Sequence, residues 1–217
     1  MKIFKYIFLY MISTFFLLLS SSCREPVVPD EEDLSNYGWL LYEEGKYEDA
    51  REWFKDGMKK DSLYADSYNG LGWCFGKLRQ PDSALYYFSK GVQKEFDPFK
   101  TPFLNLDLYA GITFSYNGLG EDALVREFSG YFFGNQNLAE NEPWAFLHEP
   151  KINYLDVRII QSLAEYNSGF FQASLETLEQ IYRDLGTATN LTMDITTVRG
   201  RADLAAEIQL MQQSLKN

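Results

Sequence analysis

The chain has 217 residues, with 20 Lys and Arg against 31 Asp and Glu, one His, two Cys, and aromatic residues at 17 % of positions. That length suits one domain with room for a hydrophobic core. A formal charge of −11 lacks the basic footprint that nucleic-acid phosphates need. One His and two Cys leave little material for a His- or Cys-based metal centre, so neither a nucleic-acid partner nor a cofactor is expected.

Residues 1–22 read as a secretory signal. Lys2 and Lys5 flank the start, the run from Tyr6 to Leu19 carries no charge, and small residues Ser20, Ser21 and Ser22 lead into Cys23. The apolar run is shorter than the ~20 residues that cross a bilayer. Leu19, Ser21, Ser22 and Cys23 resemble the lipobox of bacterial lipoproteins, although Ser20 stands where that family usually places an aliphatic residue. The resemblance implies that Cys23 is lipidated and becomes the mature N-terminus, and Arg24 after it, where an inner-membrane retention signal would carry Asp, favours the outer membrane of the cell envelope, on its periplasmic or surface face. An uncleaved anchor or a plainly cleaved signal are the alternatives, and all three put the domain outside the cytoplasm. Residues 23–33, with Pro26, Pro29 and the acidic run Asp30 to Asp33, are expected to form an extended tether.

From residue 34 onward the chain repeats itself. Gly38 and Gly72, Trp39 and Trp73, Ala50 and Ala84, Phe54 and Phe88, and Gly57 and Gly91 are each separated by 34 residues. Small residues at these spacings let paired helices approach closely, while Phe54 and Phe88 fill the gap between pairs. Period and residues, with Gly45-Lys46-Tyr47-Glu48-Asp49-Ala50 at the turn, resemble the tetratricopeptide repeat. A looser third unit follows around Gly111 to Ala123. A fourth runs from about Tyr154 with Ala173 in its turn, either Ser168 or Gly169 taking the turn position. Excess residues at about 134–150 form an insertion between these two units. The resemblance implies an all-α, right-handed solenoid of about four helical hairpins over residues 34–217.

The pattern predicts helices over 34–44, 47–60, 65–78, 82–94, 104–117, 121–133, 151–167, 171–185 and 193–215. The last, with Ile195, Val198, Ala202, Ala205, Ile208, Met211 and Leu215 on one face, is expected to cap the array; Gly200 weakens it. No segment carries a strand pattern.

Catalytic motifs are missing: there is no P-loop, GxGxxG, GxSxG or HExxH. His148, the only imidazole, could pair with Glu149 or Asp156 as an acid–base couple. The stronger expectation is that it bonds a carboxylate or backbone group and pins the insertion. Cys74 is expected to be an inert hydrophobe within a helix. The protein is therefore not expected to be an enzyme.

In the resembled family, the first helices of successive units line a concave face that holds partners. That resemblance points to Ser35, Trp39 and Tyr42, to Asn69, Trp73 and Lys77, to Leu108, Ile112 and Tyr116, and to Arg158, Ser162 and Tyr166 as groove positions. Aromatics at such positions serve either as anchors for a peptide or as packing between units. Trp144, Phe146 and His148 form a second cluster inside the insertion, which either folds over the groove as a plug or patches the junction between units three and four. The leading reading is a scaffold, resembling short tetratricopeptide lipoproteins of diderm bacteria, that docks a protein or peptide partner at the envelope membrane. The alternative is a glycan- or small-ligand-binding lipoprotein of a nutrient-uptake system, its aromatic platforms stacking on sugar rings.

Overall fold

The computed structural model describes residues 28–136, 143–187 and 191–215. Cys23 and the signal lie outside them. The described residues form nine helices: α1 (Glu31–Glu43), α2 (Tyr47–Lys60), α3 (Ala65–Lys77), α4 (Pro81–Gly91), α5 (Leu104–Leu119), α6 (Asp122–Gln136), α7 (Tyr154–Asn167), α8 (Phe171–Asp184) and α9 (Val198–Leu215). Helices α1 to α8 pair in sequence into four hairpins, each packed on the next, and α9 closes the last. This is the all-α solenoid that the repeat pattern predicts.

Each hairpin turns through one residue in the left-handed conformation: Gly45, Arg79, Gly120 and Gly169. At every turn the following N–H reaches back to a carbonyl in the last helical turn, as from Lys46 to Leu41, Gln80 to Phe75, Glu121 to Tyr116 and Phe170 to Glu165. This satisfies carbonyls that the ending helix would leave bare. The fourth unit's register, open between Ser168 and Gly169, is fixed by Gly169 at φ 80°. Glycine takes that conformation without steric cost.

The 34-residue spacing has a direct packing cause. Phe54 on α2 lies against Gly38 on α1 and Gly70 on α3, where any Cβ would meet its ring. Phe88 on α4 repeats the wedge between Gly72 on α3 and Gly111 on α5. Both rings are fully buried. At the same interface Ser35 Oγ and Ser67 Oγ lie 2.8 Å apart in the interior. Units one to three share one core, which also takes in Trp144, Phe146 and Val157. Unit four and α9 share a second, with Leu178, Ile181, Leu204 and Ile208 at its centre.

Several boundaries differ from the sequence reading: α4 ends at Gly91 instead of 94, α6 runs on to Gln136 instead of 133, α7 starts at Tyr154 instead of 151, and the two ends of the array differ as well. The acidic run is not tether to residue 33: α1 begins at Glu31, capped by the Asp30 side chain on the Asp33 N–H, with the reciprocal bond returning. Negative charge there also complements the helix N-terminus. At the other end, Met193 and Ile195 pack into the second core from outside a helix, and α9 starts only at Val198. A turn at Asp194 precedes it, closing so tightly over Gly200 that a Cβ there would collide with the Asp194 carbonyl.

Candidate functional site

Residues 144–154, which begin in the insertion and run past its expected end at about 150, form a short hairpin. The Phe146 N–H donates to the Ile152 carbonyl at 2.9 Å and the Tyr154 N–H to the Trp144 carbonyl at 3.0 Å, with Ala145 bridged to Asn153. In its first arm the side chains alternate. Trp144 and Phe146 are buried, Ala145 is exposed, and Leu147 is 76 % exposed. An extended backbone sends successive side chains to opposite faces, so Trp144, Phe146 and His148 point together into the array.

They enter the face lined by α1, α3 and α5. The His148 ring stacks on Trp39 with centroids 3.8 Å apart and planes within 3°. The Phe146 ring stacks on Trp73 at 4.1 Å and meets Trp39 and Tyr42 edge-on at 5.8 and 6.0 Å. Trp144 packs edge-on against Phe132 of α6 at 5.2 Å, and its indole N–H donates to Asp107 Oδ1 of α5 at 2.8 Å. At the rim, His148 Nδ1 lies 2.8 Å from Glu43 Oε1. The Glu149 carboxylate pairs with the Lys77 ammonium and accepts the Tyr42 hydroxyl at 3.2 Å. Local structure delivers these groups: Asn153 caps α7, with Asp156 returning a bond to its N–H, so the second arm of the hairpin runs straight into a helix.

The insertion is therefore a strap across the concave face, and it also seals the junction beside α6. Trp39, Tyr42, Asn69, Trp73 and Lys77, read from the sequence as one groove, do converge, and what they hold is their own chain. Trp39 and Trp73 are only 4 % and 5 % exposed beneath it, so they are not an open floor. His148 meets neither Glu149 nor Asp156 as an acid–base couple; its ring is an anchor between an indole and Glu43. The other positions are absorbed by packing. Ser35, Leu108, Ile112 and Ser162 are buried, with Ser162 bonded to Ser174. Tyr116 lies on Phe128 at 5.3 Å and Tyr166 on Phe171 at 5.2 Å. Arg158 sits over the Phe133 ring, 4.2 Å from its centroid, with Asp184 3.4 Å away. None of these three side chains is brought to the strap's contacts.

Two carboxylates under the strap carry no motif in the sequence. Asp66 on α3 accepts the Trp39 indole N–H at 2.7 Å, and Asp107 accepts that of Trp144. Burial is the largest influence on both and raises both pKa values. It pushes Asp107 up to about 8, partly opposed by the Trp144 N–H and reinforced by the charge of Asp66. For Asp66 the Trp39 hydrogen bond and His148 act against the rise. Burial likewise drives the Tyr42 phenol upward, with Glu149 adding to it, and pushes the Cys74 thiol up to about 12. A thiol so placed stays protonated, in keeping with a packing role. No group of three or more His, Cys, Asp or Glu that could hold a metal occurs among the described residues.

The described chain resembles a solved structure of YrrB, described as a TPR protein with an unusual peptide-binding site. The TM-score is 0.60 at 15 % identity, over 85 % of this chain and 87 % of that one. The fold is that of a tetratricopeptide-repeat solenoid. No protein-family model and no curated protein matches the sequence. At this identity the likeness carries architecture alone. The helices that bear Trp39, Trp73 and Asp107 are thus the first members of successive TPR units, and the strap lies where those first helices converge.

Proposed function

We propose that this chain is a non-catalytic docking scaffold of the bacterial cell envelope. It is anchored through lipid on Cys23 and receives an extended segment of a protein partner on the concave face of its repeats. The observation that carries this reading is the strap itself. The groove positions hold an extended segment by ring stacking on two tryptophans, an ion pair to Lys77 and a hydrogen bond from Tyr42, the means by which repeat grooves grip peptides. The peptide-binding site of the structural neighbour lends support by analogy. The sole imidazole, engaged by stacking and a carboxylate, favours a binding role over catalysis. The peptide reading is favoured over a sugar-stacking platform because what occupies both tryptophan faces is a polypeptide segment, through His148 and Phe146. The anchor rests on the lipobox-like residues before Cys23, and outer-membrane placement on Arg24, which stands where an inner-membrane retention signal would carry Asp.

Two measurements test the proposal. Labelled palmitate should enter the wild-type chain and not Cys23→Ser; equal labelling removes the anchor. A photo-cross-linker at position 77 in living cells should capture a discrete partner, and capture should fall with Trp39→Ala/Trp73→Ala. A partner captured equally by that pair would move docking away from the groove.

A further inference from the structure

The strap fills the groove without satisfying it. Among the described residues, three buried side-chain atoms have no hydrogen-bond partner: Arg158 Nε, which is ion-paired to Asp184 away from the strap, and Asn69 Oδ1 and Trp73 Nε1 beneath it. The latter two lie on α3 at i and i+4, hence on one face of that helix. Buried polar atoms are nearly always paired, so two orphans side by side require an explanation. The other arm of Asn69 is engaged by carboxylates of its own fold, Nδ2 lying 3.5 Å from Asp107 Oδ2 and also serving Asp66, which leaves the amide oxygen over. Trp73 faces the phenyl ring of Phe146, which carries no acceptor for the indole N–H. Nor do the backbone groups of Trp144 and Phe146 that bond across the hairpin reach α3, because they are engaged by the strap's second arm.

What the strap does satisfy defines the chemistry of each sub-pocket. Asp107 selects an aromatic with an N–H, the Trp73 face selects a flat ring two residues on, and Lys77 with Tyr42 selects a carboxylate beyond it. A tethered occupant enjoys a high effective concentration, on the order of millimolar for a short linker. An incoming segment prevails only by making contacts that the strap lacks, and the two orphaned atoms are such contacts. We infer that the concave groove is a receptor for an extended segment of another protein bearing aromatic side chains at alternate positions, a carboxylate for Lys77 and an acceptor for Trp73 Nε1, and that residues 144–149 are an internal stand-in which this segment displaces. The inference rests on the docking role proposed above and names the partner's chemistry.

The test uses the full-length chain in detergent micelles and a fluorescein-labelled synthetic peptide of residues 143–153 as probe, read by polarisation. Trp144→Ala/Phe146→Ala empties both ring pockets; His148→Ala/Glu149→Ala releases the rim and leaves the buried rings in place. The probe should bind each variant at least tenfold tighter than wild type, and a probe carrying Phe146→Ala should bind none of them. If circular dichroism shows the first variant unfolded, the rim variant alone decides. Equal affinity for wild type and the folded rim variant overturns the inference, as does binding that survives Trp73→Ala. A tenfold gain without any cross-linked partner in cells upholds the groove chemistry and removes the scaffold role. A cross-linked partner with no gain does the reverse.

Discussion

Phe146→Ala is the sharpest probe of how the strap is held. The ring is fully buried, stacked on Trp73 at 4.1 Å and edge-on to Trp39 and Tyr42. Truncating a buried Phe to Ala costs ~3–5 kcal/mol, from lost transfer free energy and the cavity left behind. Stacked pairs add ~0.5–1.5 kcal/mol beyond buried area. Loss in global stability is bounded by the docking free energy of the strap, since the repeats persist once it lets go; the low end, ~3 kcal/mol, is therefore expected. For a chain of this size each kcal/mol shifts the melting temperature by about 2–4 °C, so Phe146→Ala should melt about 9 °C below wild type by circular dichroism. Tryptophan emission should shift to longer wavelength before the helices melt, because Trp39 and Trp73 gain water as the strap releases. A melting shift below about 3 °C with unchanged emission would refute the docking geometry, since removing a buried stacked ring must cost more than that.

Asp107→Asn tests the buried carboxylate. With the folded pKa raised to about 8 from an ordinary value of 3.8, the native state holds its proton longer, so stability is greatest below pH ~4, declines as pH climbs to about 8, and is flat above. The amide keeps an acceptor for Trp144 and removes the titration. Urea unfolding at pH 5 and pH 8.5 should show a smaller difference for the variant, by ~2 kcal/mol or more, because each tenfold change in proton affinity is worth ~1.4 kcal/mol. Parallel profiles would count against the site. Arg79→Gly relieves a left-handed non-glycine at φ 57° and should raise stability by ~0.5–1 kcal/mol, with a lower midpoint in urea as the contrary result. Gly70→Ala drives a methyl into Phe54 and should cost ~1–3 kcal/mol, whereas a neutral outcome would mean that the wedge can yield. Asp30→Ala removes the α1 cap at a cost of ~1 kcal/mol; no change in helicity or stability would return that run to the tether.

The hairpins were legible because their packing rule is written locally. A bulky Phe on one helix needs glycines on its neighbours, and the 34-residue spacing survives in Phe54 and Phe88 and in Gly38 and Gly72, while the far-side Gly70 and Gly111 lie 16 and 23 residues after their Phe. The groove residues were legible as a set for the same reason, since Trp39 and Trp73 hold equivalent places in adjacent units. What fills the groove was not. Trp144 finds Asp107 37 residues away and His148 finds Glu43 105 residues away, pairings that no repeat encodes. The alternation of Trp144, Phe146 and His148 was the available sign of an extended arm, too short to read as a strand. Asp66 and Asp107 look like ordinary acids near helix starts until tertiary structure sets an indole beside each. The α1 start was obscured because Asp30 and Asp33 form a capping pair with Asp where Glu is the usual partner. Ile195 keeps the helical spacing of Val198 and Ala202, yet it and Met193 serve the second core from an irregular segment, so periodicity alone placed the last helix too early.

Repeat arrays are ordinarily springs, each unit touching only the ones beside it, so curvature is soft and the ends can fray one at a time. A chord drawn from just before the fourth hairpin back to Glu43 and Lys77 turns that spring into a strung bow. Bending is then locked while the string is taut, and cutting it would slacken the arc as a whole, so that an event at one edge of the molecule is felt at the opposite limb.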